Sequence, residues 1–114
     1  MPDAGQAGSS RPVVRVFAPP ASTCAGGKTW KDAAELIFRR LTDRFGSQVL
    51  FEFIELFSPE FFKFPDVMTR LQEGSAQVPI IAVNGEIVQS GGKISERAIR
   101  EGLEAHGISV IPGA

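Results

Sequence analysis

The strongest constraint on the fold is an amphipathic segment that stands between two apolar, strand-like runs. The first run, Val13–Ala18, is rich in valine and is bounded by prolines, which predicts a buried strand. From Trp30 to Gly46 the apolar residues recur at steps of three and four, which predicts a helix with one buried face. The run 49–57 is apolar almost throughout and predicts a central parallel strand beside the first. Strand, helix and strand in this order predict a parallel pair joined by a crossover helix.

An asparagine–glycine pair predicts a hairpin in the second half of the chain. Asn84-Gly85 lies between the apolar run 80–83 and the mixed run 86–90. Both central residues of a type I′ turn need a positive φ, and this pair adopts it readily. The two runs are therefore predicted to be antiparallel neighbours.

Two helical segments flank the hairpin. Residues 58–74 predict a broken helix, which Pro65 interrupts and in which Asp66 caps the second piece. Ser95 and Gly107 predict the start and the end of a last helix. The predicted fold is α/β, of order βαβ-ββα, with a four-stranded mixed sheet and helices on both faces.

Length and composition predict one small domain and exclude several classes of function. The chain has 114 residues, of which 43% are hydrophobic, so residues 12–108 can form a single core between a disordered leader, 1–11, and a flexible tail, 109–114. The formal net charge of −1 leaves no basic footprint for nucleic acid or an anionic membrane. The leader lacks the apolar stretch of a signal peptide, which favours a cytoplasmic protein. A monomer or weak homodimer is expected.

Cys24 is the only cysteine, so the chain cannot form an intramolecular disulfide. It stands between the first strand and the first helix, where helix N–H groups favour a thiolate. Lys28 adds a positive charge that favours the same form, and Gly26 and Gly27 allow close approach of a substrate backbone. These residues predict a thiol site without a metal. The alternative is a small buried cysteine in front of a flexible loop.

The order of elements, with Cys24 after the first strand and Val78-Pro79 before the third, resembles the thioredoxin-like superfamily over residues 13–108. The resemblance implies a Cys-x-x-Cys motif at the start of the first helix, and here Gly27 stands where the second cysteine would be. It also implies that Pro79 is the cis-proline of the family. Val78 would then offer its backbone to an extended peptide or thiol substrate.

Two narrower resemblances are present. The Val-Pro pair, the Asn-Gly turn and the Gly91-Gly92 pair are similar to glutaredoxins, including monothiol members, which implies that Gly91 and Gly92 contact the γ-glutamyl end of glutathione. The runs Val16–Pro19 and Phe57–Pro59 also resemble small bacterial proteins of the arsenic metallochaperone and YuzD types. The chaperones hold their metalloid with several cysteines, so this resemblance implies the fold and not the ligand.

The leading functional hypothesis is monothiol exchange, in which Cys24 forms a mixed disulfide with an external thiol or disulfide partner, either a protein or glutathione. Glutathione is the one cofactor that the resemblance implies. Whether the protein turns over as an enzyme is left open. A second hypothesis is a non-enzymatic binding module that uses its sheet edge and its phenylalanines. A third is a dimer that holds a metal or an iron–sulfur cluster through Cys24 of each subunit. These phenylalanines are Phe57, Phe61, Phe62 and Phe64. We expect them to belong to the core and its cap; if they are exposed, they form an interface.

Overall fold

The computed structural model describes residues 11–19 and 29–109. The expected site residues Cys24, Gly26, Gly27 and Lys28 lie outside the described residues, as do 1–10 of the expected leader and 110–114 of the expected tail. The strands are β1 Val13–Ala18, β2 Leu50–Glu55, β3 Ile80–Val83 and β4 Glu86–Ser90. The helices are α1 Trp30–Phe45, α2 Pro65–Glu73 and α3 Glu96–Ala105, with short 3-10 turns at Gly46–Gln48 and Phe61–Lys63.

The four strands form one mixed sheet of order β2-β1-β3-β4. β1 pairs with β2 in parallel, with Val14 opposite Phe51, and with β3 antiparallel, with Val16 opposite Ile81. β3 and β4 form the predicted hairpin, in which Asn84 has φ 54° and Gly85 has φ 90°. A mixed sheet with a parallel first pair and an antiparallel second pair is therefore confirmed.

Helices cover both faces of the sheet, and each face has its own core. Alternate residues of a strand point to opposite faces, so Val14 and Val16 face α1 and α3, while Phe17 faces α2. The first core consists of Val14, Val16, Ala34, Leu41, Phe45, Val49, Ile81, Val83, Ile99 and Leu103. The second consists of Phe17, Ile54, Phe61, Val67, Ala76, Ile80 and Ala82. This is the α/β arrangement of the thioredoxin-like fold, as the sequence predicts.

The predicted ends of α1 and α3 are confirmed by their capping bonds. The Thr29 hydroxyl accepts a hydrogen bond from Asp32 N at 3.1 Å at the start of α1, which ends before Gly46. The Ser95 hydroxyl accepts from Ala98 N at 3.0 Å at the start of α3. Beyond α3, Gly107 has φ 85° and Ile108 N donates to Leu103 O, which turns Ile108 back onto the first core.

Two predictions about β2 and α2 are wrong. β2 is an edge strand and not a central one, because it pairs with β1 alone in the order β2-β1-β3-β4, and its Leu50 is 40% exposed. Asp66 does not cap α2, since Pro65 already occupies the first helical turn and Phe64 is the N-cap residue. Proline at this position has the required φ and lacks an N–H that would need a partner, so the helix begins two residues earlier than a cap at Asp66 allows.

Candidate functional site

One end of the sheet, called here the Ala18 end, brings together the segments that the sequence predicts to form the site. β1 stops at Ala18 and leads through Pro19 toward Cys24. Because β3 is antiparallel to β1, its first residue, Ile80, lies opposite Phe17 at this same end. Val78-Pro79 immediately precedes Ile80. The Ala18 end is formed by Ala18, Glu55, Ile80 and Ser90, and the opposite, Asn84 end by Val13, Leu50 and the hairpin turn.

The first helix also begins on this side of the molecule. α1 ends at Phe45, next to the turn whose Ser47 carbonyl accepts a hydrogen bond from the Arg11 side chain at 3.2 Å, at the Asn84 end. A helix of 16 residues is about 24 Å long, so its first turn lies toward the Ala18 end. Its N–H groups at that end carry a partial positive charge that favours an anion, such as a thiolate.

The Val78–Pro79 peptide bond is cis, as the resemblance implies. The residues on either side of Val78 are tied to the end of β4. Gln77 N donates to Ser90 Oγ at 2.8 Å, Ser90 Oγ donates to Gln77 O at 3.3 Å, and Gly91 N donates to Pro79 O at 2.9 Å. Between these bonds, neither the N–H nor the C=O of Val78 has a hydrogen-bond partner among the described residues. Val78 therefore presents one donor and one acceptor that no described residue pairs with.

The glycine pair lies beside Val78, in a loop that one side chain holds in place. Gly91 and Gly92 both have a left-handed backbone, with φ 81° and 79°, which glycine adopts without strain. Gln89 Nε2 donates to Gly91 O at 2.9 Å and also to Lys93 O. Gln89 Oε1 accepts from Ser95 N at 2.9 Å, which joins the loop to the start of α3. The structure thus brings together Val78, Pro79, Gly91 and Gly92, four of the predicted site residues.

The phenylalanine cluster is divided between the core and the surface. Phe61 is fully buried, and Phe64 lies edge-on to Phe17 with ring centroids 5.2 Å apart. Phe57 and Phe62 are 69% and 54% exposed and lie edge-on to Phe61. Phe57 lies two residues beyond Glu55, the last residue of β2, so it is adjacent to the Ala18 end. Phe61 and Phe64 therefore belong to the core, and Phe57 and Phe62 lie at the surface.

A groove also lies on the sheet near the 3-10 turn Phe61–Lys63. This groove of about 430 Å³ is lined in part by Arg15, Glu52 and Lys63. The Arg15 guanidinium donates to Glu52 at 2.8 Å and lies 4.8 Å from the centroid of the Phe64 ring. Its charge is thus already paired within the groove, which leaves little unbalanced charge there to attract an ionic ligand.

The histidine lies away from the Ala18 end, and the described part of the chain contains no group of three metal ligands. His106, the only histidine of the chain, follows α3 and lies 3.4 Å from Glu86 at the other end of β4. Over residues 11–19 and 29–109, no three His, Cys, Asp or Glu side chains are placed to hold a metal ion. Within the same ranges, no helix is both long enough and apolar enough to cross a membrane.

Sequence reasoning missed Gln77, Gln89 and Ser90, which shape the site without belonging to a motif. Gln77 and Ser90 are 13 residues apart and meet only because the hairpin folds one strand against the other. The Asn-Gly turn gives an approximate register, but a bulge between Ile81 and Ala82 shifts the pairing by one residue and sets Ser90 opposite Ile80. No local pattern in the sequence predicts that bulge.

Comparisons with known proteins define the fold but no activity. No protein-family model and no curated protein matches the chain. Among solved structures, the chain is similar to the protein of unknown function SA0789 from Staphylococcus aureus, known from a crystal structure. The TM-score is 0.57 at 20% sequence identity, over 83% of this chain and 90% of that chain. At this level of identity the similarity shows a shared fold alone.

Proposed function

We propose that this chain is a thioredoxin-like protein that performs monothiol exchange, with Cys24 as the nucleophile and no resolving cysteine of its own. The observation that carries the proposal is the N–H and the C=O of Val78, which have no partner within residues 11–19 and 29–109. They lie at the sheet end from which β1 leads toward Cys24. Cys24 follows Pro19 by five residues, a length of chain that spans at most about 18 Å. The thiol therefore lies no farther than about 18 Å from Pro19, at the sheet end that carries Val78.

The exchange needs one thiolate and one external disulfide. The Cys24 sulfur attacks one sulfur of the partner disulfide, a new S–S bond forms, and the old S–S bond breaks. The second partner sulfur leaves with the electron pair as a thiolate. A small thiol of the glutathione class then attacks the mixed disulfide and restores the Cys24 thiolate. The number of disulfides is unchanged throughout, so no additional oxidant or reductant is required.

Backbone pairing gives Val78 a defined role in this reaction. An extended peptide next to the attacked sulfur can accept from the Val78 N–H and donate to the Val78 C=O, as a strand does at a sheet edge. Glutathione offers the same amide groups in a small molecule. Gly91 lies beside this segment, because its N–H donates to Pro79 O at 2.9 Å, and Gly92 follows it in the same loop.

The test is adduct formation by the full-length reduced protein with glutathione disulfide, followed by intact-mass spectrometry and peptide mapping. We expect one glutathione per chain, attached at Cys24 and removed by dithiothreitol. At neutral pH the folded protein should react faster than the same protein unfolded in urea, because only folding places the thiol near helix N–H groups. Cys24→Ser is the control and should give no adduct. A folded protein that reacts more slowly than the unfolded chain, or not at all, contradicts the proposal.

A non-enzymatic binding module is the second candidate, and the exposure of Phe57 and Phe62 favours it. Adjacent exposed aromatic rings are common where proteins bind one another. In that case Cys24 would not react with disulfides. The protein would instead bind a partner, and replacing Phe57 or Phe62 by alanine would weaken that binding.

A further inference from the structure

Ser90 connects two segments of the candidate site through a single hydroxyl group. Its Oγ accepts from Gln77 N at 2.8 Å and donates to Gln77 O at 3.3 Å. Gln77 directly precedes Val78, whose backbone groups are unpaired among the described residues. Ser90 is the last residue of β4 and pairs with Ile80 in the ladder. The hydroxyl therefore fixes the residue before Val78, while the ladder fixes the residues after it.

We propose that Ser90 is a positioning residue for thiol exchange at Cys24, and that it acts on partners that carry peptide groups. This inference rests on the proposed function. Ser90 does not contact the reacting sulfurs in this mechanism. It holds the backbone of Gln77 so that the N–H and C=O of Val78 stay aligned for a partner's amide groups.

The role is specific because little else depends on this hydroxyl. Ser90 and Gln77 are both exposed, so water can satisfy the Gln77 backbone groups when the hydroxyl is removed. The β3–β4 ladder and the bond from Gly91 N to Pro79 O do not involve the Ser90 side chain. Loss of the hydroxyl should thus loosen the segment before Val78 and leave the fold intact.

The experiment compares two disulfides that differ in peptide content. Glutathione disulfide carries amide groups, and 2-hydroxyethyl disulfide carries none. Rates of mixed-disulfide formation at Cys24 are measured for wild type, Ser90→Ala, Ser90→Thr and Gln48→Ala. Gln48 is the matched control, since its side chain also makes two hydrogen bonds to backbone groups, in this case donating to Phe45 O and Ser109 O, each at 2.9 Å, but at the Asn84 end. Unfolding midpoints are measured for all four proteins.

We expect Ser90→Ala to slow the reaction with glutathione disulfide by about 5- to 10-fold, the scale of one lost hydrogen bond. Its reaction with 2-hydroxyethyl disulfide should stay at the wild-type rate. Ser90→Thr restores the hydroxyl and should restore the rate, and Gln48→Ala should change neither rate. If Ser90→Ala reacts as fast as wild type, or slows equally with both disulfides, the role of Ser90 is overturned and the proposed function is not. A wild-type protein that reacts with neither disulfide overturns the proposed function and this role together.

Discussion

Phe61 and Phe62 are neighbours in the sequence with opposite environments. Phe61 is fully buried in the core between the sheet and α2, edge-on to Phe17 with ring centroids 6.4 Å apart. Phe62 is 54% exposed, and its ring lies edge-on to Phe61 with centroids 5.8 Å apart. Two aromatic residues of equal hydrophobicity thus contribute very differently to stability, because the transfer of apolar surface from water is complete for only one of them.

Replacing each ring by alanine should separate these contributions. We expect Phe61→Ala to lower the free energy of unfolding by about 3–5 kcal/mol, the usual cost of removing a buried ring and leaving a cavity. Phe62→Ala should lower it by less than about 1 kcal/mol. Urea titration followed by the fluorescence of Trp30 measures both. Similar losses for the two variants would contradict the burial described for this turn.

Sequence reasoning at the residue scale located the cluster but not its division. Four phenylalanines within residues 57–64 indicate that some must be buried, yet their irregular spacing matches neither a helical nor a strand period. The chain turns sharply here: Phe57 has φ 64°, and the Ser58 hydroxyl donates to Glu55 O at 2.7 Å. This turn decides which rings face the sheet, and no residue of the usual left-handed type marks it in the sequence.

α3 packs against the hairpin through a glycine rather than a larger residue. A Cβ atom at Gly102 would lie 3.0 Å from Val88 Cγ1 and 3.1 Å from Val83 Cγ2. Val83 is fully buried and cannot move aside easily. Glycine in a helix is otherwise unfavourable, so the close approach of helix and sheet explains its presence here.

Gly102→Ala should therefore destabilise the protein despite the better helix propensity of alanine. Overpacking costs about 1–3 kcal/mol, and the gain in propensity offsets about 1 kcal/mol of it. We expect a net loss of about 1 kcal/mol in the free energy of unfolding. Glu104→Ala, on the exposed side of α3, is the control and should change little. A Gly102→Ala protein more stable than wild type would show that α3 lies farther from β3 and β4 than described.

At the scale of elements, sequence predicted the kinds of elements well and their positions less well. The ends of α1 were predictable because a helical stripe that starts at Trp30 and a glycine at position 46 agree. β2 was predicted to be central because both of its faces carry apolar residues. Its edge position depends on β3 pairing with the other side of β1, a long-range choice that the apolar pattern of β2 does not contain.

At the scale of the whole molecule, the sheet order assembles the candidate site. β1 lies between β2 and β3, so the exit of β1, the entry of β3 and the exit of β4 all fall at the Ala18 end. The resemblance predicted which residues should meet there, and the structure brings Val78, Pro79, Gly91 and Gly92 together. The bonds that fix their backbones come from Gln89 and Ser90, which only the hairpin register, with its bulge, carries to this place.

The central claim is that folding makes Cys24 a reactive thiol, and the pH dependence of its alkylation tests this most directly. The rate of iodoacetamide labelling is measured on folded wild type, on wild type in urea, and on Cys24→Ser, which should not label. We expect the folded protein to show a midpoint below about pH 8.5, the value of a free cysteine, and the unfolded chain to return to that value. A folded midpoint at or above that pH, or a folded protein that does not label, would contradict the account.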